Sequence, residues 1–90
     1  MAIGWDDVRL SSLFTKGDNA IAKKIIEEAG EFSLAFKDGD SKEIIYECAD
    51  LFYHTLVALA KVNIHPDRIY QELQRRMGTS GIEEKNTRKK

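Results

Sequence analysis

A single cysteine, Cys48, leaves this chain without the means to close an internal disulfide, which fits a reducing compartment. Cys48 stands in an apolar run with no second metal-binding thiol near it, so it reads as a small core residue. Excess charge of either sign is also missing. Lys and Arg number 14 against 15 Asp and Glu, a net charge of -1, which argues against bulk attraction to nucleic acid or to an acidic membrane surface. Long hydrophobic runs are absent too. The most apolar stretch, Cys48 to Val62, carries Asp50 and His54 and is too short and polar to span a bilayer. No basic-then-apolar leader opens the chain, and a soluble cytoplasmic protein is the expectation. Nor is there an internal repeat, a coiled-coil heptad, a glycine-rich phosphate loop or a zinc-ligand spacing. The Asp/Asn-rich loop of a calcium sensor does not occur.

What the 90 residues do contain is helical periodicity. The length suits one domain, 1–90, whose modest core would gain from oligomerisation. Ile21, Ile25, Ala29, Phe32 and Phe36 form one apolar stripe at helical spacing, predicting a helix from Asp18 or Asn19 to Lys37. Gly30 inside it costs about 1 kcal/mol relative to Ala, and is read as room for either a packed helix or a ligand. Asp40, with Glu43 three residues on, resembles a capping box and starts a second helix ending between Lys61 and Asn63. That helix is apolar in nearly every direction, through Ile44, Ile45, Cys48, Leu51, Phe52, Leu56 and Leu59, and so reads as buried. Pro66 opens a shorter third helix with Ile69, Leu73 and Met77 as its buried stripe, closing by Gly78; His65 reads as a helix-start residue. Before these, Trp5, Val8, Leu10, Leu13 and Phe14 suggest a short amphipathic helix in an N-terminal segment, 1–17, whose role is left open. After them, 78–90 is a polar, basic tail.

The short turn Asp38-Gly39-Asp40 makes the two long helices antiparallel neighbours. Pairing about Gly39 sets Glu31 level with Glu47, Glu28 with Asp50, and Lys24 with His54. Four carboxylates then occupy two adjacent rungs, roughly 4.5 Å apart along the axis. Acids on amphipathic helices are usually a solvated face, and a lone Glu-x-x-Glu would be read that way. A second pair inside an apolar run, in register with the first, tips the balance. Ionised carboxylates on a buried helix are costly unless paired or bound to a cation, and four together repel. All-oxygen ligation favours Mg²⁺, Mn²⁺ or Ca²⁺ over zinc.

Glu28-x-x-Glu31 followed by Glu47-x-x-Asp50 resembles the metal-binding signature of the all-α nucleoside triphosphate pyrophosphatases. Within that superfamily the chain is most similar to phosphoribosyl-ATP pyrophosphohydrolase of histidine biosynthesis. The likeness is carried by Lys23-Lys24 before Glu27-Glu28-Ala29-Gly30-Glu31, by Ala49-Asp50-Leu51-Phe52-Tyr53-His54, and by Gly81-Ile82-Glu83-Glu84-Lys85 with Arg88-Lys89. It runs from about Leu13 to the end; upstream, Val8-Arg9-Leu10 stands where the family carries a Ser-Tyr-Thr segment. The resemblance implies an all-α fold in which an antiparallel helical hairpin with a short third helix pairs into a four-helix-bundle-like homodimer. It implies Mg²⁺-assisted hydrolysis of phosphoribosyl-ATP to phosphoribosyl-AMP and pyrophosphate. Glu28, Glu31, Glu47 and Asp50 would be the metal ligands, and one of them or Glu27 the general base. Lys23 and Lys24, with Lys85 and Arg88 of the tail, would meet substrate, and His54 would either bind substrate or hold a carboxylate by hydrogen bond. A housekeeping nucleoside triphosphate pyrophosphatase and a noncatalytic helical interaction module are the alternatives.

Overall fold

The computed structural model describes residues 7, 8 and 12–77, and all regular structure among them is helical. A short 3-10 helix, Ser12–Thr15, precedes three α-helices: α1, Asp18–Asp38; α2, Ser41–Lys61; and α3, Pro66–Met77. Of the expected N-terminal helix, Asp7 and Val8 are α-helical, while Leu13 and Phe14 lie instead in that 3-10 turn, closed by Lys16 N–H donating to the Leu13 carbonyl at 3.1 Å. Trp5 and Leu10 lie outside the described residues.

The chain reverses between α1 and α2 for reasons local to two residues. Gly39 takes φ 82°, the left-handed region, and its N–H donates to the Ala35 carbonyl at 3.0 Å, closing α1. Asp40 follows in extended conformation, and its Oδ1 accepts from the Lys42 N–H at 3.0 Å. The cap therefore bonds the second residue of α2, where a capping box would bond the third, Glu43. Nothing lies within 4 Å of a Cβ built at Gly39, so the conformational requirement there is purely backbone. Gly39→Ala is expected to lower stability by about 1 kcal/mol, seen as an earlier urea midpoint with an unchanged slope.

α2 ends in a Schellman motif. Asn63 adopts φ 59°, Ile64 N–H donates to the Leu59 carbonyl at 2.9 Å, and Asn63 N–H to that of Ala60 at 3.1 Å. α3 opens on Pro66, with His65 Nδ1 accepting from the Asp67 N–H at 3.1 Å, a helix-start role for that histidine.

The helices α1 and α2 pack on each other, and the 3-10 turn packs on α2. The core lies far from the Gly39 turn: Val8, Ile21, Val57 and Ala60 are buried, with Leu13, Phe14, Ile25 and Leu56 against them. Lys61 Nζ stands 5.4 Å from the centre of the Phe14 ring, a cation–π contact joining the N-terminal segment to the end of α2.

Two expectations about burial are corrected. α2 is not a buried helix: only His54, Val57 and Ala60 of its residues are buried, while Ile45 and Phe52 are 70% and 61% exposed and Cys48 is half-buried. α3 buries none of its residues, and its stripe of Ile69, Leu73 and Met77 faces outward. Phe36, at the end of the α1 stripe, is also exposed. Periodicity correctly marks which faces are apolar; the other described residues leave much of them uncovered. On its polar side α3 carries its own ion pairs. Glu72 receives Arg75 at 2.6 Å and Arg76 at 2.9 Å, and these hold its carboxyl down to about 2. All three side chains are largely exposed, so salt screens the pairs.

Candidate metal centre

Near the middle of the α1–α2 contact, Glu28 is the one acid among the described residues that is buried, at 5% exposure. It stands one helical turn beyond Lys24 on α1 and faces α2. One oxygen from each of Glu28, Glu47 and Asp50 can be chosen so that all three lie within 4.8 Å of one another. Glu47 and Asp50 are half-buried, one turn apart on α2. Glu28 Oε2 is shared between Lys24 Nζ at 3.3 Å and His54 Nε2 at 3.9 Å. Glu28 Oε1 and Glu47 Oε1 are both buried without a hydrogen-bond partner among the described residues.

That last observation bears directly on whether a cation fits. A buried carboxylate oxygen with no donor carries a desolvation cost, which at Glu28 the ammonium on the other oxygen offsets only in part. Two such oxygens, in a group of three carboxylates, offer hard anionic donors at a spacing one ion can bridge. The donor set is all oxygen, the preference of Mg²⁺, which takes roughly six oxygens at about 2.1 Å and commonly keeps waters or phosphate oxygens among them. The residues present therefore fit a divalent cation.

The electrostatics agree with the geometry. The Glu47 carboxyl is pushed above its usual range, first by desolvation, then by the charge of Glu31 and hydrogen bonding with it, then by the charges of Asp50 and Glu28. Each of these causes is one that a bound cation reverses. The Lys24 ammonium is pushed up, chiefly by its hydrogen bond to Glu28.

The remaining candidates divide. Glu31 is exposed and stands outside the three-carboxylate group, yet it acts on Glu47 across the helix contact. Glu27 is exposed on the outer side of Lys24, its Oε1 3.5 Å from the ammonium. Lys23 is exposed. His54 is buried against Glu28, with Tyr53 edge-on to its ring at 5.4 Å. Lys85 and Arg88 lie outside the described residues. A Cβ at Gly30 would meet nothing within 4 Å, so close helix packing within the chain does not explain that glycine. The sequence reading did not single out the Lys61–Phe14 contact, which has no signal in spacing because its partners come from different segments. Among the described residues no helix is long and apolar enough to cross a membrane.

Comparison with known proteins points the same way. The family model described as phosphoribosyl-ATP pyrophosphohydrolase matches residues 10–77, which include both acidic pairs. The histidine biosynthesis bifunctional protein HisIE of Helicobacter hepaticus is 67% identical over 79 residues, covering 88% of this chain and 34% of that protein. The chain thus spans about a third of the length of that bifunctional relative. The phosphoribosyl-ATP pyrophosphatase of Geotalea daltonii is 56% identical over 78 residues, covering 87% of this chain and 74% of the relative. That of Geobacter metallireducens is 53% identical over 85 residues, covering 94% and 78%. With a family model spanning both long helices and the third, and relatives matched over most of their own length, the chain belongs to the phosphoribosyl-ATP pyrophosphohydrolase family.

Proposed function

We propose that this chain hydrolyses phosphoribosyl-ATP to phosphoribosyl-AMP and pyrophosphate, as a cytoplasmic step of histidine biosynthesis. The observation that carries the reading is the buried Glu28 with its unpartnered Oε1, grouped with Glu47 and Asp50 in a member of this family. Glu28, Glu47 and Asp50 would hold Mg²⁺, with Glu31 joining directly or through water. When bound, the ion supplies neutralisation of the charge that develops on the leaving pyrophosphate. Glu31, exposed beside Glu47, is the carboxylate best placed to orient a water molecule and accept its proton. Glu27 is less suited, being held on the far side of Lys24. His54, buried with its Nε2 3.9 Å from Glu28 Oε2, is placed to support that carboxylate rather than to meet substrate itself. Lys24, at the edge of the acids, would meet phosphate oxygens, with Lys23 and, from the tail, Lys85 and Arg88 adding charge.

The assembly in this reading is a homodimer in which the antiparallel hairpins of α1 and α2 from two copies make a four-helix bundle. Support comes from the uncovered apolar residues of α2, Ile45 and Phe52 foremost.

The test is incubation with phosphoribosyl-ATP with and without Mg²⁺, reading pyrophosphate, beside ATP and the common deoxynucleoside triphosphates. Mg²⁺-dependent release from phosphoribosyl-ATP alone is the expected result. Equal turnover of ordinary triphosphates would make the chain a general pyrophosphatase, and no release from any substrate would make it a noncatalytic module.

A further inference from the structure

Glu28 Oε2 does not go unmatched. Lys24 Nζ lies 3.3 Å from it, one helical turn back on the same helix, and 3.5 Å from Glu27 Oε1. The two carboxylates differ in kind. The Glu28 side chain is 7% exposed and groups with Glu47 and Asp50, whereas that of Glu27 is 43% exposed and faces water. The Lys24 side chain is itself 42% exposed, so its ammonium reaches the buried acids from outside and is free to leave them. His54 Nε2, the other nitrogen facing Glu28, is buried and more distant at 3.9 Å.

We propose that Lys24 is an exchangeable counter-ion of this centre. Its ammonium neutralises Glu28 in the metal-free protein, and a divalent cation bound by Glu28, Glu47 and Asp50 displaces it. The argument is one of competition for a single negative charge. An ammonium at Glu28 Oε2 offsets part of the repulsion among three clustered carboxylates, so the hairpin folds without metal. A divalent cation that neutralises the same carboxylate weakens the attraction holding Lys24 there. The ammonium then keeps only its exposed partner Glu27, where the attraction is largely screened. A cation so released stands at the mouth of the centre, available to an anionic ligand that arrives with or after the metal. Metal binding and phosphate binding are thereby coupled through one side chain.

This inference rests on the metal reading above, and calorimetric titration of Mg²⁺ into the nucleotide-free protein separates the two. Lys24→Met should bind Mg²⁺ more tightly than the unaltered chain, by about threefold to fivefold, the scale of one exposed ion pair. It should also melt at a lower temperature without metal and gain more on adding it. Lys24→Gln, which keeps a polar end, should behave alike. Lys23→Met is the control, since it removes the same charge from the neighbouring position without the Glu28 contact; its Mg²⁺ affinity should change less. Equal or weaker binding by both Lys24 variants would overturn the counter-ion role while leaving the metal centre standing, as would an equal gain in the Lys23 control. Absence of Mg²⁺ binding by the unaltered chain would overturn both.

Discussion

Replacing Glu47 by Gln, or Asp50 by Asn, is expected to abolish Mg²⁺-dependent pyrophosphate release, with a loss of at least about a hundredfold, the scale for removing one preorganised electrostatic group from a reacting centre. The helices should stay folded. For Glu47 the direction of the stability change follows from its ionisation. Its carboxyl is raised in the folded chain by desolvation and by the neighbouring acids Glu31, Asp50 and Glu28. The folded protein therefore holds that proton more tightly than the unfolded chain does. The resulting stabilisation is fully present below the ordinary value of 4.5 and is lost as pH rises through the elevated folded value. Gln carries no charge at any pH. Without metal, Glu47→Gln should melt above the unaltered protein at neutral pH, and the gap should close as pH falls toward and below the ordinary carboxyl range. Adding Mg²⁺ should invert the order, since only the unaltered chain keeps the full ligand set. Melting curves across pH, with and without Mg²⁺, read both effects. A variant that turns over at the normal rate would remove Glu47 from the centre, and one that melts lower at neutral pH would show that repulsion is not what the acids contribute.

The helices themselves were largely legible in the residues. The α1 stripe, the glycine at 39 and the capping Asp40 act locally, so they place the helix ends to within a residue: Asp18–Asp38 and Ser41–Lys61. Depth was harder to read, because it depends on what lies opposite. On the wheel Glu28 sits at the edge of the apolar stripe, beside Lys24 and Glu31, and nothing in spacing makes it the buried member of the three. Its burial comes from facing α2 beside His54, one turn before the fully buried Val57. The N-terminal segment shows the same limit. Leu13 and Phe14 are recognisable as apolar, but whether they complete an α-helix or fold over the end of α2 depends on Val57 and Ala60, far along the chain. For α3, the apolar stripe is real but only partly covered by the described residues: Ile69 and Leu73 remain 42% and 44% exposed.

Those uncovered faces lead to the second large effect. If the proposed homodimer forms through this face, Phe52→Glu is expected to yield a monomer and to remove most activity with it. Phe52 is 61% exposed on α2, about two turns beyond Ile45, which is 70% exposed; Leu56, half-buried, continues the row past it. This row runs along the side of α2 away from Glu47 and Asp50, so a change there does not touch the acids directly. A phenylalanine left in water forgoes roughly 1.5–3 kcal/mol relative to a buried one, and several such residues along one helix make a surface that a second hairpin would cover. Glutamate at the centre of that surface would have to be desolvated without a partner, a cost that an interface of two short hairpins does not offset. Within one chain the substitution should be almost silent, because the side chain is already in water; helical circular dichroism should therefore be kept while the sedimentation coefficient falls. A variant that sediments as the unaltered dimer would place the interface on another face, with the outward stripe of α3 next in line. A compact, fully active monomer of the unaltered chain at micromolar concentration would show that these apolar rows serve some other contact and that each acid centre works alone.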